Sequence, residues 1–258
     1  MAARAVRLVT EERAASASSA ARLAAVGGRA RPVSLSGERL LPLAAPFAAL
    51  FPGGLRRGAQ VSVEGAGAAV SLALALVAEA SAAGGWTAAV GLPALGLGAA
   101  AELGLALERL VVVPAPEGAW AAAVTAAIEG FDVVLVGPRR GLPAAEARRL
   151  TARARERGGV LVRVGWPAGA WPEGADVAAA VESVAWEGLG QGWGRLSARR
   201  VVVCTSGRRE ADRPRRAELW LPDAAGRVVL AEPAALAKSA ALAKSAAPLV
   251  AAPLEQAG

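Results

Sequence analysis

The chain of 258 residues contains no histidine, no tyrosine and one cysteine, and its first lysine is Lys238. Each absence closes a chemistry. Without histidine there is no imidazole general base and no histidine-based triad. A single cysteine excludes a disulfide framework and, with no histidine present, a Cys/His zinc site. That thiol, Cys204, lies in the strand-like run RVVVCTS; with no base to activate it, it reads as a buried core thiol. The missing lysine removes the mobile point charge that phosphate-transferring loops aim at a terminal phosphate. Aromatic residues are only 4% of the chain, which leaves little for base stacking. The longest apolar stretch follows Gly65 and stops at Glu79. It is too short and too alanine-rich to span a bilayer, and the first residues show no apolar segment ahead of their charges, so the expected compartment is the cytoplasm, with no membrane partner.

What is present describes a folded protein: 54% hydrophobic residues and 20% charged. The formal net charge of +7 is almost all arginine, a bias that a GC-rich genome produces as readily as nucleic-acid binding does. Residues 1–35 read as a helical extension, with an amphipathic helix from about Leu8 to Ala25. Residues 36–231 read as the core domain. Within it, QVSVE, WTAAV, LVVV, FDVVLV and VLVRV are short Val-rich strands alternating with helical segments, the pattern of a parallel sheet with helices on both faces. PAAEARRLTARARERG is a helix with Pro143 at its entrance and Gly158 just past its end. After Pro172 the alternation gives way to successive strands joined by turns, expected to extend the same sheet in antiparallel fashion. Residues 232–258 are a low-complexity tail with a tandem AALAKS repeat, expected to be disordered.

The stretch VSVEGAGAAVSLALAL, Val61 to Leu76, carries the main functional question. A strand, a glycine turn and a helix form the setting in which backbone N–H groups cradle phosphate. Gly65 and Gly67 supply the turn, but Ala69 and Val70 stand where a lysine and a threonine belong, and the loop is short for the motif. Ser71 reads as an ordinary helix residue. The strand FDVVLVGP ends in Gly137-Pro138 where a magnesium-binding aspartate belongs; Asp132 is at its other end, about 17 Å of extended chain away, where it is expected to cap or solvate the strand start.

From Leu41 to about Leu221 the order of these features resembles the RecA-type recombinase core. FPGGLRRGAQVSVEG is similar to that family's glycine-rich approach to its first core strand, and VESVAWEGLGQGWGRLSARRVVV to its closing hairpins. The resemblance implies a RecA-like α/β core whose ATP site is degenerate at Gly65, Gly67, Ala69, Val70 and Ser71, with Leu92-Pro93 where a water-activating glutamate would be. The expected protein is therefore not an enzyme and holds no cofactor or metal. LALVAEASAAGGWTAAVGLPALGL and VAWEGLGQGWGRLSARRVVV further resemble the actinobacterial ImuA-prime family. That resemblance implies a non-catalytic accessory protein of damage-induced mutagenesis. It would act through an ImuB-type adaptor related to Y-family polymerases and, indirectly, an error-prone replicative-type polymerase.

Two alternatives remain open on the residues: a DNA-binding, recombinase-like regulator and a cell-division inhibitor. The first rests on Arg195, Arg208, Arg209, Arg213, Arg215 and Arg216, with Arg199 and Arg200 between them; these are contact candidates for DNA or a partner. Neighbouring arginines on a strand point to opposite faces, which works against one continuous basic stripe. Trp186 and Trp193, flanking EGLGQG, read as hairpin packing residues. In the tail, Leu236 and Leu242 repeat six residues apart, as do Lys238 and Lys244, a mixed helical surface that could order only on a partner.

Overall fold

The computed structural model describes residues 40–231 except 66, 116–117, 167–168, 190–192 and 209–210. The expected amino-terminal extension and tail, including Leu236, Lys238, Leu242 and Lys244, lie outside the described residues, as does Arg209. The chain starts with β1 (Leu40–Leu41), a 3-10 turn (Ala45–Phe47) and β2 (Leu55–Arg56), which pairs antiparallel with β1 in a two-stranded sheet not anticipated from the sequence. Then follow β3 (Gln60–Glu64), α1 (Ala69–Ala82), β4 (Thr87–Val90), α2 (Leu97–Glu102) and β5 (Leu110–Val113). Next come α3 (Trp120–Gly130), β6 (Val133–Val136), α4 (Ala144–Arg157) and β7 (Val160–Val164). The last strands are β8 (Val177–Leu189), β9 (Gly194–Gly207), β10 (Arg215–Trp220) and β11 (Val229–Leu230).

Strands β3 to β11 form one sheet of nine strands in the order β11-β10-β9-β8-β3-β7-β6-β4-β5. From β8 to β5 every pairing is parallel; β9, β10 and β11 are added antiparallel. This is the expected α/β class, a mainly parallel sheet flanked by helices with an antiparallel extension. One detail differs: β8 was expected to begin the antiparallel part, yet it pairs parallel with β3. The long connection from β7 carries the chain back to the starting edge of the sheet. There Asp176 donates its N–H to Gln60 O and accepts the Gln60 N–H on Oδ2, both pairs 2.8–2.9 Å apart.

Alternation along the strands divides the interior in two. Val61 and Val63 of β3, Val133 and Leu135 of β6, and Val160, Val162 and Val164 of β7 share one core with α1, Phe47 and Leu50. Their neighbours Val134, Val136 and Leu161 share the other with α3, α4, Trp120, Trp166 and Trp171. Helix α1 is apolar nearly all round because it is almost wholly buried, as expected; Leu72, Leu74, Leu76 and Val77 are all inaccessible. Helix α4 is amphipathic and buries only Ala147, Leu150, Thr151 and Ala154. It ends at Gly158, whose φ of 72° is the left-handed cap that glycine adopts without penalty.

Of the two roles expected for Asp132, capping and solvating a strand start, the structure shows the first. Asp132 is buried at the start of β6, where Oδ1 accepts from Arg57 at 2.8 Å and Oδ2 from the Trp86 N–H at 3.0 Å. Cys204 departs from its expected burial. It is half-buried, on the face of β9 opposite the core valines Val201 and Val203.

At the carboxyl ends of β6 and β7 three tryptophans pack edge to face, with centroids 5.8 Å (Trp120–Trp166), 6.5 Å (Trp120–Trp171) and 5.1 Å (Trp166–Trp171) apart. The Trp166 indole donates to Val136 O at 3.1 Å, and Trp171 to Thr151 Oγ1 at 3.2 Å. Removing the hub should therefore be costly: Trp166→Ala is expected to destabilise by about 3–5 kcal/mol and lower the melting temperature by roughly 10 °C, measured by thermal unfolding followed by circular dichroism.

Candidate functional site

The turn between β3 and α1 is built by close approach. Gly65 has a φ of 114°, and a Cβ there would lie 2.7 Å from both Cβ and O of Val181 on β8. Only glycine lets the chain pass this near its parallel neighbour. Gly67, with φ of 81°, completes the turn, and α1 begins at Ala69 with no side-chain cap and no acidic residue in its first turn. Ala69 is buried and Val70 and Ser71 are half-buried. The turn thus keeps a helix N-terminus, which attracts anions weakly. It carries no lysine.

The cation nearest this turn comes from a distant strand. Arg199 of β9, only 6% exposed, donates from Nη1 to Gly67 O at 2.9 Å and from Nε to Leu221 O at 2.6 Å. Its guanidinium also lies over the Trp186 ring, 5.0 Å from the centroid. Burial strips water from this group and lowers its pKa from the ordinary arginine value. Its donors face carbonyl oxygens, so Arg199 braces the turn against β9 and the β10 end. Sequence reasoning placed Arg199 in a surface cluster; no local signal distinguishes a bracing arginine from a solvated one.

The position expected for a magnesium aspartate is closed. A Cβ on Gly137 would lie 1.9 Å from Gly91 O, because the ends of β4 and β6 are drawn together there. Gly137 donates its N–H to Val90 O at 2.9 Å and Gly91 its own to Val113 O at 3.0 Å. Leu92, where a water-activating glutamate would be, is buried. In an open α/β sheet ligands occupy the crevice at the carboxyl ends of strands where connections diverge to opposite faces. Here α1 and α2 lie on one face and α3 and α4 on the other, and the crevice holds a glycine contact and the tryptophan cluster instead. Among the described residues no group of three His, Cys, Asp or Glu is placed to hold a metal ion, and no helix is long and apolar enough to cross a membrane.

The candidate arginines are dispersed. Arg195 sits at the tip of the β8–β9 hairpin, whereas Arg208 follows the far end of β9. Thirteen residue steps separate them, about 40 Å of extended strand. Arg213 is exposed ahead of β10, Arg215 is half-buried at its start, and Arg216 is exposed with Nε 2.7 Å from Glu182 Oε2. That pairing raises the Arg216 pKa. Arg200 on the same face is 3.1 Å from Glu218 and lies over Trp220, 5.5 Å from its centroid. The arginines that the sequence groups together form no single surface.

The hairpin itself is the more distinctive feature. Beyond the Ala185–Arg200 pair, β8 and β9 continue past the end of β10 as a two-stranded arm. Bulges fall at Glu182 and Gly188; a Cβ on Gly188 would lie 2.1 Å from Arg195 O, so its φ of 102° and its lack of a side chain are both required. The arm presents Trp186 (46% exposed), Leu189 (63%), Trp193 (76%) and Leu196 (48%) to solvent. Trp193 is thus not a packing residue, whereas Trp186 packs one face under the Arg199 guanidinium and exposes the rest. The available signal was the spacing of four large apolar residues around a glycine-rich turn.

Residues 49–173 match the family model described as the MT3502 N-terminal domain. The chain is also similar to "Uncharacterized protein Rv3395c" of Mycobacterium tuberculosis, 42% identical over 87 residues, which covers 33% of this chain. The matched segment spans 43% of that relative's length, less than half. Both similarities are to proteins described without an activity.

Two expected outcomes test this geometry. Gly137→Ala should cost about 2–4 kcal/mol, because backbone must move to admit one methyl group, and Gly137→Asp should give no magnesium-dependent change in melting temperature. Arg199→Met should lower the melting temperature several-fold more than Arg216→Ala. The first leaves buried carbonyls unsatisfied, at about 1–3 kcal/mol each, whereas the second removes an exposed pair contributing at most about 1 kcal/mol.

Proposed function

We propose that this protein is a non-catalytic, RecA-like accessory subunit that works by protein–protein contact, and that its setting is damage-induced mutagenesis of the ImuA-prime kind. The observation that supports contact as its mode of action is the projecting β8–β9 arm with four large apolar side chains in water. Exposed apolar clusters of this size on a rigid projection mark interaction sites, and tryptophan is among the residues that contribute most to binding. The reading as non-catalytic is supported by the turn at Gly65–Ser71, which brings no lysine, and by the glycine contact where a metal-binding carboxylate would project. Phosphoryl transfer depends on positioned charges at those points. The mutagenesis setting rests on the sequence resemblance, and the partner implied is the ImuB-type adaptor.

The test is co-purification with that adaptor from damaged cells, together with the damage-induced mutation frequency. The double variant Leu189→Ser with Trp193→Ser should melt within a few degrees of the parent, since both side chains are already solvated, yet lose adaptor recovery and mutagenesis. Unchanged recovery with the double variant, but loss on deleting residues 234–258, would move the contact to the tail. Recovery of division proteins or of DNA in place of the adaptor would overturn the setting. ATP turnover by the purified protein should stay at background, and turnover abolished by a substitution within Gly65–Ser71 would overturn the non-catalytic reading.

A further inference from the structure

At the opposite end of β3 from the Gly65 turn, where β3 and β8 begin, the structure contains a cavity of about 450 Å³. This lies in the range of small-ligand sites, about 300–1,000 Å³. Its walls are the Phe51–Gly54 turn, the β2–β3 turn, the last turn of α4 and the chain just after β9. Four arginines are among the residues that line it, Arg56, Arg57, Arg155 and Arg208, with one acidic residue, Asp176.

The carboxylate is already engaged. Asp176 Oδ2 accepts the Gln60 N–H at 2.9 Å and Oδ1 lies 3.5 Å from Arg155 Nη2. Arg57 reaches Asp132 with Nη1 and keeps a quarter of its side chain exposed. Among the described residues Arg208 is paired with no carboxylate: its backbone N–H donates to Asp176 O at 2.9 Å, and its Nη2 lies 3.0 Å from where a Cβ on Gly174 would be. Glycine at 174 therefore makes room for this guanidinium. Gly58 in the β2–β3 turn packs against the Arg155 backbone, its would-be Cβ 3.4 Å from both Arg155 Cα and O, which sets the width of the cavity. Three separate stretches of chain thus converge arginines on one concavity, with less negative charge than positive.

We propose that this cavity binds a phosphate group on a small ligand of mononucleotide size. Arginine pairs planar forks of donors with phosphate oxygens, and several arginines around one concavity suit a dianion. A nucleic-acid backbone would need a continuous basic track, whereas the next arginines along β9, Arg200 and Arg199, are buried, one paired with Glu218 and the other donating to Leu221 O and Gly67 O.

The experiment is titration of the full chain at low salt, by calorimetry, with inorganic phosphate, a deoxynucleoside monophosphate, the matching nucleoside, and a short oligonucleotide with and without a 5′-phosphate. The monophosphate should bind and the nucleoside should not. Arg208→Gln and Arg155→Gln should each weaken the monophosphate about tenfold or more. Arg208→Gln is the deciding variant, because its exposed side chain holds no ion pair among the described residues and the melting temperature should be unchanged. The proposal is overturned if the monophosphate does not bind, if Arg208→Gln binds it as the parent does, or if only the oligonucleotide binds, with or without its 5′-phosphate. Adaptor recovery is read separately and does not depend on this result.

Discussion

Asp176 ties β8 to the first residue of β3 through both its backbone and its carboxylate, and much of the molecule follows from that junction. It makes β3 a central strand with parallel neighbours on each side, and it joins the parallel half of the sheet to the antiparallel half. Because β8 starts in register with β3 and is much longer, it must run past the end of the parallel strands. The overrun, paired with β9, becomes the projecting arm. The same register sets Val181 against Gly65, where no side chain fits. It also carries β9 to the point where Arg199 can reach Gly67 O and Leu221 O together.

The two ends of the sheet consequently differ in kind. At the carboxyl end, the crevice where open α/β sheets place ligands is occupied by the protein's own groups: a glycine-to-carbonyl contact at Gly137 and Gly91, three interlocked tryptophans, and a turn braced by a desolvated arginine. Each is a packing solution. At the amino end, arginines from the β2–β3 turn, α4 and the end of β9 surround an open cavity. Like charges brought together in this way repel one another, and an anion relieves that repulsion. The projecting arm and this cavity lie at opposite ends of the β8–β9 ladder.

Much of the fold was legible in the chain because its signals are local. Val-rich runs bounded by glycine, Pro143 and Gly158 around α4, and the apolar character of α1 all derive from backbone and side-chain preferences within a few residues. The candidate site was legible only by subtraction. The absence of lysine before residue 238 is plain in the sequence, and Ala69, Val70 and Gly137 can be read directly. The reason Gly137 is glycine cannot, since Gly91 lies 46 residues away and approaches only when β4 and β6 pair. Asp132 was half legible for the same reason: its partners, Arg57 and the Trp86 N–H, are remote in sequence, so capping and solvation of the strand entry could not be told apart.

The sequence by itself determined the α/β class and the alternation of strands and helices through the parallel half of the sheet, because composition and short-range periodicity carry that information without any knowledge of contacts. Tertiary structure decided which arginines act together. Arg199 and Arg200 are adjacent in the chain yet lie on opposite faces of β9, one bracing a turn and the other paired with Glu218. Arg57, Arg155 and Arg208 are scattered through the chain yet share one cavity. A strand's two-residue alternation separates neighbours, and sheet pairing joins strangers, so the grouping of charges is a property of the pairing order and not of the sequence interval.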